Sequence, residues 1–210
     1  MKWQQIPVGP LQENTYLLWN DKKQALIIDP GSEGKRLIEA VQKNSLQLEA
    51  ILLTHAHYDH IGAVEDVRNA FDIPVYIHKN EQDWLIDPTK NGSARSPFGR
   101  ITTREADHVI EKAGKLSIGS FSFDVFETPG HSPGSVSYYL PPANVVFSGD
   151  ALFQGSIGRT DLPGGNHEQL IESIHNYLLT LPEETVVSPG HGPETTIANE
   201  MVGNPFLTGF

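Results

Sequence analysis

The chain has 210 residues, 38% hydrophobic and 20% charged, a composition that excludes a disordered or fibrous chain and suits one sizeable folded domain. Its 15 Lys and Arg against 26 Asp and Glu give a formal charge of -11, which argues against a nucleic-acid partner, although a local pocket can still attract a small anion. There is no cysteine, so disulfides and thiolate metal sites are excluded and any transition metal must be held by His and carboxylates.

The first ten residues, MKWQQIPVGP, lack the apolar core of a signal peptide, and no apolar run approaches the roughly 18 residues of a membrane helix. The expectation is a cytoplasmic protein with no membrane partner. A strand over Ala25-Leu26-Ile27-Ile28 runs into Asp29-Pro30-Gly31, and a helix from Lys35 to Asn44 carries Leu37, Ile38 and Val41 on one face. A second strand, Ala50-Ile51-Leu52-Leu53, runs into Thr54-His55, and a helix is predicted from Ile61 to Phe71. The polar, Gly- and Pro-rich stretch from Asp83 to Arg104 reads as a loop beside the site.

Leu116 to Phe126 alternates as a strand, with Phe121, Phe123 and Val125 on one face and a hairpin turn at Gly119-Ser120. A further strand is expected over Ser135 to Leu140. Asn144-Val145-Val146-Phe147 leads to Ser148-Gly149-Asp150, and Thr185-Val186-Val187 leads to Ser188-Pro189-Gly190-His191. Between them a helix is predicted from His167 to Leu181, capped by Asn166 with Gln169 three residues on. Mixed strands with interspersed helices predict an α/β protein, an αββα sandwich of two mixed β-sheets flanked by helices, as a single domain over residues 1–210. Each buried strand delivers polar residues at its C-terminal end, where such sheets place their ligands.

The densest chemical signal is Thr54-His55-Ala56-His57-Tyr58-Asp59-His60. His55 and His57 are two apart, so both can point the same way from an extended segment, and the turn into the next helix can aim Asp59 and His60 at a neighbouring position. One tight loop can then feed two metals. His131, Asp150 and His191 lie at the other strand ends, each after a Gly that permits close backbone approach. His78, His108, His167 and His175 stand outside this pattern.

The HxHxDH sequence, followed by His, Asp and His in that order, resembles the metallo-β-lactamase superfamily, over nearly the whole chain from Ile27-Ile28-Asp29-Pro30-Gly31 to His191. The resemblance implies the αββα metallo-β-lactamase fold with a pair of divalent metals, zinc in the first place, iron or manganese otherwise. His55, His57 and His131 would bind one, Asp59, His60 and His191 the other, and Asp150 would bridge them. Asp29 would be a structural residue beside them. Within the superfamily, residues 128–134, 148–153 and 158–165 are similar to the glyoxalase II group, in its short single-domain form. That implies a thioester hydrolase acting on a small anionic glutathione conjugate such as S-lactoylglutathione, by attack of a metal-bridging hydroxide.

Asp150 and Asp59 would be the catalytic carboxylates, the latter orienting the hydroxide or taking a proton. A thiolate leaves without a strong acid, which makes thioesters easier substrates than amides. Arg159 stands where the family carries a glutathione-binding lysine, and Tyr58 sits between ligands where it can touch substrate. The chain is expected to lack the C-terminal helical domain of full-length glyoxalase II, and Pro193 stands where the family has a tyrosine. The rival on the same fold is a persulfide dioxygenase with one iron at the equivalents of His55, His131 and Asp150. A lactonase, a β-lactamase and a non-catalytic binding protein rank below it.

Overall fold

β1 (Lys2–Val8) and β2 (Glu13–Trp19) open the chain as an antiparallel pair, and β3 (Gln24–Ile28) returns antiparallel to β2. The computed structural model describes residues 1–208. It divides into two compact units, Met1–Glu111 with Ile118–Ser120, and Lys112–Ser117 with Phe121 onward.

In the first unit, α1 (Gly34–Lys43) crosses from β3 to β4 (Gln47–Leu52), and α2 (Tyr58–Ile61) and α3 (Val64–Phe71) cross to β5 (Val75–His78). Parallel neighbours need such crossovers, and β3, β4, β5 and β6 (His108–Ile110) are all parallel. The mixed six-stranded sheet runs β1-β2-β3-β4-β5-β6. Leu17, Ile27, Ile51, Val75 and Ile77 pack with Leu37 and Val41 of α1 and with Val64 and Val67 of α3. Each such side chain contributes about 1.5–3 kcal/mol on burial.

The Ile61 to Phe71 helix expected from periodicity is divided. The Ala63 N–H turns to the Pro30 carbonyl at 2.9 Å, and a Cβ on Gly62 would lie 2.3 Å from the Gly31 carbonyl oxygen. The chain closes there on the Pro30-Gly31 turn, and the helix restarts at Val64. β1 and β2 carry no clear pattern in the sequence, because Glu13, Asn14 and Thr15 are buried in β2 beside the apolar residues.

The second sheet draws on β7 (Gly114–Ile118), β8 (Phe121–Glu127), β9 (Val136–Leu140), β10 (Val145–Gly149), β13 (Val186–Pro189) and β14 (Thr195–Thr196), with β11 (Leu152–Phe153) and β12 (Ser156–Ile157) forming a small hairpin. Its order is β14-β13-β10-β9-β8-β7, mixed because β10 and β13 are parallel while β9 pairs antiparallel with β8 and β10. Gly119 at φ 53° makes the β7–β8 turn as predicted. β9 is buried at four of its five positions because it lies between β8 and β10.

α4 (His167–Ser173) begins at Asn166, whose side chain accepts the Gln169 N–H at 3.1 Å, and continues into a π-helical turn over Ile174–Leu178. Leu170, Ile174 and Leu178 pack with Val146, Val187 and Ile197, the last from α5 (Ile197–Gly203). Among the described residues no helix is long and apolar enough to cross a membrane.

Candidate metal centre

The chain leaves β4 through Leu53 and Thr54 and reaches His55, His57, Asp59 and His60 within one turn, all in the first unit. Asp29, at the C-terminal end of the neighbouring β3, fixes this exit. It accepts the Thr54 N–H at 2.7 Å, the Thr54 hydroxyl at 2.5 Å and the His60 Nδ1–H at 3.0 Å. With its hydroxyl proton directed at Asp29, Thr54 Oγ1 accepts from His55 Nδ1 at 3.1 Å. Both rings therefore present Nε2 as the lone-pair nitrogen, the tautomer a cation needs. Asp29, His55 and His60 have donor atoms within 4.8 Å of one another, but the Asp29 oxygens are engaged in orienting the loop rather than coordinating.

The Ala56 N–H, between the first two histidines, donates to Glu81 Oε2 at 2.6 Å, and the His57 ring lies 5.7 Å from that of Trp84. Both partners come from the 3₁₀ helix Lys79–Trp84. Asp59 Oδ2 stands 4.0 Å from His60 Nε2. Three further acids, Glu13, Asp29 and Glu81, are buried around these imidazoles. So much negative charge away from water is costly unless cations share the site.

His131, Asp150 and His191 lie together in the second unit. β10 and β13 are parallel neighbours, and the Gly190 N–H donates to the Gly149 carbonyl at 2.8 Å, so Asp150 and His191 emerge side by side. His131 follows Gly130, whose φ is +132° and where a Cβ would lie 2.3 Å from the Leu170 nitrogen at the start of α4. The His131 Nδ1–H donates to the Arg159 carbonyl at 2.8 Å, which again leaves Nε2 as the lone-pair nitrogen. His131 Nε2 stands 3.5 Å and His191 Nε2 3.7 Å from the same oxygen, Asp150 Oδ2. Ligands at about 2.0–2.1 Å in a tetrahedral shell are about 3.3 Å apart, so one carboxylate oxygen sits at near-coordination spacing from two imidazoles.

Gly158 holds this group together. A Cβ there would lie 1.8 Å from the Asp150 carbonyl oxygen and 3.2 Å from the His131 Cβ. Gly158→Ala is therefore expected to push Asp150 and His131 apart and to weaken metal binding by about tenfold or more, in line with other losses of ligand support. A chelator-competition titration that matched the wild type would contradict this.

Of the two substrate candidates, Arg159 is engaged by its neighbour. Its Nε and Nη2 each lie 2.7 Å from an oxygen of Asp161, and this pairing holds the Asp161 carboxyl at about 2. The side chain pairs with Asp161, while the Arg159 carbonyl orients His131. Tyr58 is tied through its N–H to the Asn91 carbonyl at 3.0 Å, so the 83–104 stretch does adjoin the ligand loop. Glu81 and Glu13 escape sequence reasoning. Each is an acid without motif spacing, and only tertiary burial distinguishes it.

The Metallo-beta-lactamase superfamily profile matches residues 8–191. The chain belongs to the metallo-β-lactamase superfamily. Its two mixed sheets and helices are those of the metallo-β-lactamase fold. Over 210 residues it is 56% identical to "Probable metallo-hydrolase YqgX" of Bacillus subtilis (strain 168), covering 100% of this chain and 99% of that one. It is 38% identical over 203 residues to "Hydroxyacylglutathione hydrolase GloC" of Haemophilus influenzae, covering 96% of each. Among solved structures it is similar to BLEG-1 B3 metallo-beta-lactamase, with TM-score 0.97, 57% identity and 99% and 100% coverage. It is also similar to TTHA1623 in a di-iron-bound form, with TM-score 0.87, 43% identity and 97% and 100% coverage. A superfamily member with these imidazole and carboxylate donors suits divalent metals, and the di-iron relative leaves zinc and iron both chemically in place.

Proposed function

We propose that this metallo-hydrolase cleaves thioesters of small anionic thiols, S-lactoylglutathione among them, as one catalytic domain. The ligands would be His55, His57, Asp59, His60, His131, Asp150 and His191, around two divalent cations. The observation that carries the reading is Asp150 Oδ2, one oxygen at 3.5 and 3.7 Å from two imidazole nitrogens, a spacing at which one carboxylate could serve cations held by either ring.

Two divalent cations held there would supply Lewis acidity and lower the pKa of a water toward about 7. Asp59, with its side chain 16% exposed, orients the attacking water and takes its proton. Asp29, Thr54 and the Arg159 carbonyl hold three imidazoles in one tautomer, so no ring has to reorganise during the reaction. A thiol has a pKa of about 8.5, so the leaving group departs as thiolate and no positioned acid is required. Similarity to the hydroxyacylglutathione hydrolase supports the thioester, and the high similarity to BLEG-1 supports β-lactam cleavage as the second reading.

One purified sample separates these. Metals are counted per chain, and turnover is measured on S-lactoylglutathione, on a chromogenic cephalosporin, and on glutathione persulfide with oxygen uptake. Two metals and thiol release with the highest kcat/KM on the thioester are expected. A higher kcat/KM on the cephalosporin, or one iron with oxygen consumption, overturns the reading.

A further inference from the structure

A small apolar pocket opens beside the ligand loop in the first unit. Pro10 and Leu11, from the turn between β1 and β2, form one wall, and Phe98 and Ile101 form the other; Tyr58 and Asp59 of the ligand loop also line it. Its volume is about 110 Å³, the space of roughly four liquid waters. Leu11 is 44% and Phe98 53% exposed, so two large apolar side chains stand in water at this pocket. Apolar surface of this kind beside polar groups marks a place where a ligand is covered.

The backbone beside each wall is fixed in advance. The Gly9 N–H donates to Glu33 at 2.7 Å, and Arg36 donates to the Pro7 carbonyl and to Glu33, each at 2.9 Å. The Gly9 and Arg36 contacts hold the Glu33 carboxyl below its ordinary range. On the other side the Ser93 hydroxyl donates to the Ile101 carbonyl at 3.1 Å and accepts the Ile101 N–H at 2.9 Å, while the Asn91 amide donates to the same carbonyl at 3.0 Å. A pocket held this way needs little ordering when a ligand enters.

The geometry points to this pocket as the subsite for the acyl chain of the substrate, and to a thioester of a short aliphatic acid, of about four carbons, as the preferred class. The inference rests on the thioester reading. The thiol half of an anionic conjugate is charged and finds no cation along these walls. An unhydroxylated hydrocarbon chain finds apolar side chains there, beside Tyr58 and Asp59 of the ligand loop. Leu11 and Phe98 set chain-length selectivity.

The test is a series of acetyl, propionyl, butyryl and octanoyl thioesters of glutathione, with kcat/KM measured for each. The expected rise is about fourfold per methylene up to butyryl, with no further gain at octanoyl. In Phe98→Ser and in Leu11→Ser the butyryl-to-acetyl ratio falls from about 16-fold to below about fourfold. Calorimetric titration with non-cleavable analogues, in which a methylene replaces sulfur, reads the same increments as affinity. Equal kcat/KM along the series, or wild-type ratios in both variants, overturns the subsite while leaving thioester cleavage standing. Chain-dependent analogue binding without any thioester turnover upholds the subsite and overturns the reaction.

Discussion

Asp150→Ala is expected to hold fewer than two metals per chain and to lose about a thousandfold or more in kcat/KM on a thioester, equivalent to about 4 kcal/mol of transition-state stabilisation. The size follows from the geometry. The same Asp150 oxygen approaches both His131 and His191, so in the proposed two-cation centre its removal would take one donor from each coordination shell. The residue is itself buried, and the void left by Ala brings no compensating ligand. Asp150→Asn keeps an oxygen but not the charge, and is expected to retain more metal than Ala at activity well below the wild type. Metal analysis and thiol release on the same samples give the answer. An Ala variant with two metals and full turnover would falsify the shared-carboxylate role.

The strand ends were the most legible part of this molecule in its sequence. Apolar, β-branched runs such as Ala25–Ile28, Ala50–Leu53 and Asn144–Phe147 stop abruptly at polar residues, and the structure places a strand at each. The ligand candidates stand out because imidazole is rare and here recurs at fixed positions after those strands. β2 is less legible because Glu13, Asn14 and Thr15 are buried among its apolar residues, and Glu13 and Thr15 serve the ligand loop and its support rather than the core. Thr15 donates to the Asp29 carbonyl at 2.8 Å, and Glu13 lies 3.6 Å from His60 Nδ1. Glu81 could not be found from spacing, since its role is to receive one backbone N–H from a loop 25 residues earlier. The break after Ile61 depends on Gly62 meeting Gly31, a contact that local periodicity does not encode. Arg159 was legible as a candidate from its place in the motif, whereas its pairing with Asp161 two residues on was not.

Asp29→Ala is expected to lower Tm by roughly 10 °C and, separately, to weaken metal binding by about 10- to 100-fold. Three buried donors, the Thr54 N–H and hydroxyl and the His60 Nδ1–H, lose their acceptor, at about 1–3 kcal/mol each, offset in part because a buried carboxylate is removed. Asp29 also sits at φ 48°, a region Asp and Asn tolerate and Ala does not, which adds about 1 kcal/mol. Asn separates the two effects. It keeps the φ preference and one acceptor oxygen for the Thr54 N–H, so most of the Tm returns. Its amide, however, turns a donor toward His60 Nδ1, which forces the proton onto Nε2, the nitrogen a cation would use. Asp29→Asn should therefore be close to wild type in thermal melts of the metal-free protein and still bind metal weakly by chelator competition. Wild-type metal affinity in the Asn variant would show that the His60 tautomer is set elsewhere, and that Asp29 serves only the exit from β4.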